Sequence, residues 1–228
     1  MATAPGYKFP WRTGNRFSVL VDSTEFLPRM LAAIGASRDY LLLEMYLVES
    51  GTVADRIIDT LLGAAARGTR VYLLFDDYGA RDFNRHDRER LQHANINISY
   101  YNPLPSHSTL SNLYRVLWKK TLHGLYRNHR KLLLVDGRVA FAGGAGITDE
   151  VDAQTTPQAH WRETMVEING PILADWQLLF TESWNRSSEQ PLNLPAIPPE
   201  HFEDGQSGRV TVNEARLRIG IQRSLLKQ

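Results

Sequence analysis

Apolar positions along the chain switch between two spacings. Phe17 to Val21 reads as a short strand. Phe26, Leu27, Met30, Leu31 and Ile34 then recur at helical spacing behind Asp22-x-x-Glu25, a helix-start signature, and Gly35 sits near the end. Tyr40 to Val48 is a nearly continuous apolar run, the mark of a strand buried on both faces. Glu44 interrupts it, either at a polar edge or on the strand face that lines a site. Val53 to Arg67 returns to helical spacing, with Ile57, Ile58, Leu61, Leu62 and Ala65 on one face and Gly68 as the residue after the cap. Val71 to Phe75 is again a strand and ends in Asp76-Asp77-Tyr78-Gly79. That ending reads as a solvated turn, although α/β sheets often carry functional groups at strand C-termini. Strand, helix, strand, helix, strand predicts an α/β fold with parallel strands and right-handed crossovers.

The second half is less regular. Asn84 to Ala94 is a highly charged helix with Leu91 inward, and Ile96 to Tyr101 alternates like a strand. Leu110 to Arg127 carries Leu113, Tyr114, Leu117, Trp118 and Leu122 on one helical face and Arg115, Lys119 and Lys120 towards the other. Such a face packs on a core or lies in a membrane interface. Leu132 to Val135 and Val139 to Ala142 are apolar strands around an Asp136-Gly137 turn. His160 to Glu163 opens another strand, and Pro171 to Trp184 a helix with proline in its first turn. Residues 185–209 are rich in Pro, Ser, Asn and acids. A strand at Arg209 to Val212 and a helix at Asn213 to Gln228 follow. The division expected is an irregular arm over 1–15, an α/β domain over 16–186, and a linker with the start of a second half over 187–228.

Composition narrows the chemistry. The formal net charge is +1, so anion binding must be local rather than global. The chain contains no cysteine, which excludes disulfides, thiolate metal sites and cysteine nucleophiles. No run of about 18 apolar residues occurs, and Met1 to Trp11 lacks a signal-peptide core, so the chain reads as soluble or peripheral. Basic residues are 21 Arg against five Lys, which makes a lysine in a motif informative.

One such lysine stands in Arg127-Asn128-His129-Arg130-Lys131-Leu132-Leu133-Leu134-Val135-Asp136. In an extended strand His129 and Lys131 share a face, with Leu133 and Val135. A neutral imidazole can attack phosphorus, and a fixed ammonium neutralises phosphoryl oxygens. Chance predicts on the order of 0.01 such His-x-Lys-x4-Asp triplets in a chain of this composition.

The spacing His129-x-Lys131-x4-Asp136, with Gly143-Gly144 beyond it, resembles the HKD motif of the phospholipase D superfamily, in wording most like the N-terminal half of bacterial cardiolipin synthases. Tyr40 to Tyr46, Ala66 to Val71, Phe75 to Gly79, Trp161 to Thr164 and Gly170-Pro171 extend the likeness across roughly Gly14 to Trp184. The resemblance implies a phospholipase D-like α/β fold: a mixed, mainly parallel sheet flanked by helices on both faces. It implies phosphatidyl transfer or phosphodiester hydrolysis through a phosphohistidine on His129. By that resemblance Lys131 would bind the non-bridging oxygens, Asp136 would support the local hydrogen-bond network, and Glu163 would orient the imidazole. Gly143, Gly144, Thr148 and Glu44 are the substrate-side candidates. Gly146 stands where the family usually has Asn, and Thr148 is the nearest substitute donor. The scheme needs no metal and no cofactor.

Sites of this superfamily use two HKD motifs, one His attacking and the other acting as acid. No other His here has Lys two residues later. A second motif must come from a homodimer partner or from a missing C-terminal half, the latter fitting the resemblance better. The implied partners are a phospholipid substrate and a peripheral membrane contact, and the implied location is the bacterial cytoplasm at the inner membrane. Two rivals are a single-motif dimeric nuclease, against which the neutral charge and lack of a basic stripe weigh, and a non-catalytic lipid-binding half-domain.

Overall fold

The computed structural model describes residues 9–103, 127–197 and 200–212. In chain order its elements are β1 (Arg12–Val21), α1 (Ser23–Ala36), β2 (Tyr40–Met45), α2 (Thr52–Ala66), β3 (Arg70–Asp76), α3 (Arg85–Arg90), β4 (Ile96–Tyr101), β5 (Lys131–Val135), β6 (Val139–Gly143), β7 (Thr164–Asn169), α4 (Leu173–Ser187) and β8 (Gln206–Gly208), with a 3-10 turn at Asp149–Val151. Most of the Leu110–Arg127 amphipathic segment and all of the Asn213–Gln228 helix lie outside the described residues.

Eight strands form one open sheet in the order β4-β3-β2-β5-β6-β7-β1-β8. The sheet is mixed, as expected, and helices cover both faces. The expected predominance of parallel strands does not hold. Parallel pairing is confined to β2 with β3 and β3 with β4, and the other neighbours pair antiparallel. The physical reason lies in the connections. Helical crossovers α2 and α3 return the chain parallel, whereas the short Asp136-Gly137 turn can only reverse it. That turn has both residues at positive φ (51° and 63°), the primed geometry that matches strand twist.

The central strands explain their own composition. In β2 and β5, Leu41, Leu43, Leu133 and Val135 pack with α1 and α2, while Tyr40, Leu42, Leu132 and Leu134 pack with α4. Both faces are covered, so the runs are apolar without alternation.

Both ends of the α/β domain differ from the sequence expectation. Strand β1 starts at Arg12 rather than Phe17 and pairs with β8 there. The segment after α4 is not a detached linker. Leu192 and Val210 are buried in the α4-side core, and β8 forms the sheet edge. Polar composition concealed this, because few apolar anchors suffice to hold an extended segment. Asn15 secures the junction. It donates to the Arg12 and Gln206 carbonyls and accepts from the Ile172 amide at 2.9 Å, just before α4.

Gly51, the N-cap of helix α2, has no capping side chain. Asp149 supplies the cap instead, accepting from the amides of Thr52 (3.0 Å) and Val53 (2.8 Å). No helix among the described residues is long and apolar enough to cross a membrane.

Candidate active site

The C-terminal ends of β1, β2, β3 and β6 and the N-terminal ends of β5 and β7 meet at one margin of the sheet. His129 lies two residues ahead of β5, exposed at that margin, and Lys131 is the first residue of the strand, 9% exposed. Lys131 Nζ is 3.2 Å from His129 Nδ1 and donates to the His129 carbonyl at 3.1 Å. The Tyr46 ring packs against the imidazole with centroids 4.2 Å apart, and Lys131 Nζ is 5.2 Å from the same ring.

Electrostatics favour a neutral imidazole. Burial, then the Lys131 ammonium, push the His129 pKa below its ordinary 6.5, and Asp76 opposes them. Burial also lowers Lys131 from 10.5, with the Glu163 carboxylate opposing. An uncharged ring nitrogen beside a buried cation is suited to attack an anionic phosphodiester.

Glu163 is brought to this margin, where its carboxylate acts electrostatically on the lysine. Lys131 and Asp76, not Glu163, are the charges that shift His129. The Glu163 carboxylate lies over Gly144, where an added Cβ would stand 2.0 Å from Oε2. Its carbonyl accepts from the Asp22 amide at 2.9 Å, tying β7's approach to the start of α1. Gly143 and Gly144 therefore make room within the protein. A Cβ at Gly143 would lie 2.3 Å from the Thr164 carbonyl, and the Gly144 amide already donates to that carbonyl at 3.1 Å. The amide of Gly144, a substrate-side candidate, is thus engaged by β7.

The other sequence-derived candidates are placed elsewhere. Asp136 is at the far end of β5, about 17 Å along the strand from Lys131. Its carboxylate accepts from the amides of Arg38 (2.8 Å), Asp39 (2.9 Å) and Tyr40 (2.9 Å). The expected link from Asp136 to the His129 network is corrected by strand length alone. Thr148 is buried, its hydroxyl donating to Glu49 and accepting from the Glu150 amide at 3.3 Å, so it serves the loop rather than replacing the missing Asn. An Asn at Gly146 would itself be crowded, since a Cβ there lies 2.8 Å from Leu47 Cβ. Glu44 is 0% exposed and on the α4 face, opposite His129 and Lys131, so it cannot line the substrate side.

Sequence reasoning missed Asp76, Asn128, Arg130 and Tyr46. Asp76 is 1% exposed and buried, not a solvated turn. Its Oδ2 accepts from the Asn128 amide at 2.9 Å, and its Oδ1 from the amides of Tyr78 (3.0 Å) and Gly79 (3.2 Å). Asn128 and Arg130 both donate to Glu44. For Asn128 and Arg130 the available signal was the same alternation that placed His129 and Lys131 together, applied to the residues on either side of His129.

The protein is thus a mixed α/β sheet with a His-x-Lys pair at one margin, the fold of phospholipase D-like domains. The family model "Cardiolipin synthase, PLD-like domain" matches residues 30–184, and the chain belongs to this family of phosphodiesterases and transferases. The chain is similar to cardiolipin synthase A of Pseudomonas putida (strain W619), 29% identical over 196 residues, covering 85% of this chain and 39% of the relative. It is similarly 29% identical to cardiolipin synthase A of Pseudomonas aeruginosa (strain LESB58), covering 86% and 38%. The chain thus spans about two-fifths of the length of these curated relatives. Its fold resembles NucT from Helicobacter pylori (TM-score 0.56, 14% identity, covering 76% of this chain and 98% of that one). It also resembles Nuc, a phospholipase D family member from Salmonella typhimurium (TM-score 0.55, 16% identity, covering 78% and 99%).

Proposed function

We propose that this chain carries one half of a cardiolipin synthase-like phosphatidyl-transfer site. The observation that supports the reading most is the His129–Lys131 pair, 3.2 Å apart, with its imidazole biased to the neutral form. The unprotonated ring nitrogen of His129 attacks the phosphorus of a phospholipid. The P–N bond forms as the bond to the leaving alkoxide breaks. Lys131 balances charge on the non-bridging oxygens. A second His, from a partner copy or from a further segment, protonates the alkoxide. It then takes the proton from an acceptor alcohol or water, whose oxygen displaces His129 and restores the free imidazole. Glu163, whose carboxylate favours the charged form of Lys131, steadies the ammonium. The substrate class is phosphatidylglycerol or a related lipid at a membrane surface, met peripherally on the cytoplasmic side of a bacterial inner membrane.

The test is turnover of phosphatidylglycerol vesicles by the wild type and by His129→Asn, with light scattering on the same sample. Turnover from a dimer that falls at least ~10³-fold in the variant supports a site completed between chains. Turnover retained in His129→Asn sinks the mechanism. A monomer inactive in both forms assigns the second His to a longer chain. Cleavage of nucleic acid with steep salt dependence, and no lipid turnover, would favour the nuclease rival.

A further inference from the structure

Regular strand pairing ends just short of the reactive residue. The last β2–β5 pair is Met45 with Lys131, and the last β5–β6 pair is Leu132 with Ala142. Residues 127–130 therefore lie beyond the ladder, held to it by the Tyr46 amide, which donates to the Arg130 carbonyl at 3.1 Å. A nucleophile must nevertheless be held within a fraction of an ångström.

Two buried carboxylates grip this segment on either side of His129. From β2, Glu44 Oε1 accepts from the Asn128 side-chain amide and from Arg130 Nε (3.1 Å) and Nη2 (2.9 Å). Arg130 also donates to Ser183 on α4. From β3, Asp76 accepts from the Asn128 backbone amide at 2.9 Å, and its other oxygen lies 3.5 Å from Arg127. Even-numbered residues 128 and 130 turn down to the α4 face, while His129 and Lys131 turn up. The acids hold the former and leave the latter to the substrate.

The cost of this arrangement argues for a positional role. Glu44 and Asp76 are 0% and 1% exposed. Among the described residues no donor reaches Glu44 Oε2. Burying charge in an apolar strand such as Tyr40–Met45 is unfavourable, and well-packed apolar side chains often serve stability as well or better. A geometric anchor is what a charged group provides and a leucine does not.

We infer that Glu44 and Asp76 are positioning residues that fix His129 through its neighbours, Asn128 and Arg130, rather than through its ring. The inference deepens the proposed phosphoryl-transfer site and predicts a division of labour. Glu44, on the far face, sets position only. Asp76 sets position and also adds negative charge near the imidazole.

The experiment is NMR of the His129 ring in protein labelled on histidine, its signal assigned by its loss in His129→Asn. Wild type, Glu44→Gln, Asp76→Asn and Asn128→Ala are each titrated with pH and with inorganic phosphate. Glu44→Gln is expected to broaden or split the His129 signal and weaken phosphate binding while its titration midpoint stays put. Asp76→Asn is expected to do the same and to lower the midpoint. Asn128→Ala keeps the Glu44–Arg130 ion pair, so it decides the matter if an acid variant does not fold. Where turnover is measurable, kcat falls by about 10²-fold with KM little changed, and Glu44→Asp recovers part of the loss. A sharp, unshifted His129 signal and unchanged phosphate affinity in Asn128→Ala and in the folded acid variants, with only a lower Tm, would overturn the inference. These readouts do not depend on lipid turnover. A failure of the proposed function would appear in His129→Asn, and a failure of this inference would appear here.

Discussion

The two ends of β5 carry polar groups of opposite purpose. At the Asp136 end one carboxylate is saturated by three backbone amides of the α1–β2 loop. At the His129 end the side chains on one face are tethered to buried acids, and those on the other present an imidazole and an ammonium at the sheet margin. The first end closes the fold and the second leaves chemistry available. A three-letter motif is thus divided between these tasks, because a five-residue strand separates its letters.

The largest effect is expected at the open end. Lys131→Met removes the ammonium but keeps much of the stem. Turnover, or phosphate binding at His129 in a form lacking turnover, should fall by about 10²–10³-fold, the scale for losing one charge-stabilising donor. A circular-dichroism melt should remain near wild type. If Lys131→Met binds phosphate normally, the open end has been misread.

The closed end should behave in the converse way. Asp136→Asn keeps a residue tolerant of the left-handed backbone but loses the carboxylate that receives three amides. The expected cost is about 2 kcal/mol of stability, seen as a Tm lower by roughly 4–8 °C. Activity per folded molecule should be little changed. A large loss of activity with no loss of Tm would return Asp136 to the chemistry.

The smallest effect is in pH. The His129 pKa is depressed below 6.5, so the reactive neutral form persists below that pH. Turnover should therefore be flat from neutrality down through pH 6.5. It should fall about tenfold per pH unit only below the depressed pKa. The same depression means that protonating His129 opposes folding, so this group's contribution to stability is present above 6.5 and is lost as pH falls through the folded value. An acid limb centred above 6.5 would contradict the burial and Lys131 effects.

Much of the fold was legible because periodicity reports burial directly. The helices at Ser23–Ala36 and Thr52–Ala66, the strand at Ile96–Tyr101 and the Asp136-Gly137 turn follow from local spacing and turn chemistry. The balance of parallel and antiparallel pairing was not legible, since β5 inserts beside β2 from more than eighty residues away in the chain. Nor was the docking of the polar segment after α4, which rests on a few buried residues such as Leu192 and Val210.

The site divides along the same line. By itself the sequence determined that His129 and Lys131 share a face, because strand alternation is a local property of the backbone. It also determined the family, through the order of its motifs. Tertiary structure alone decided which acids serve that pair. Glu44 and Asp76 lie on neighbouring strands, more than fifty residues before Asn128, and only the register of β2, β3 and β5 brings them beneath it. Spacing along a strand is fixed by covalent geometry, whereas contact across a sheet is fixed by the packing of the whole core.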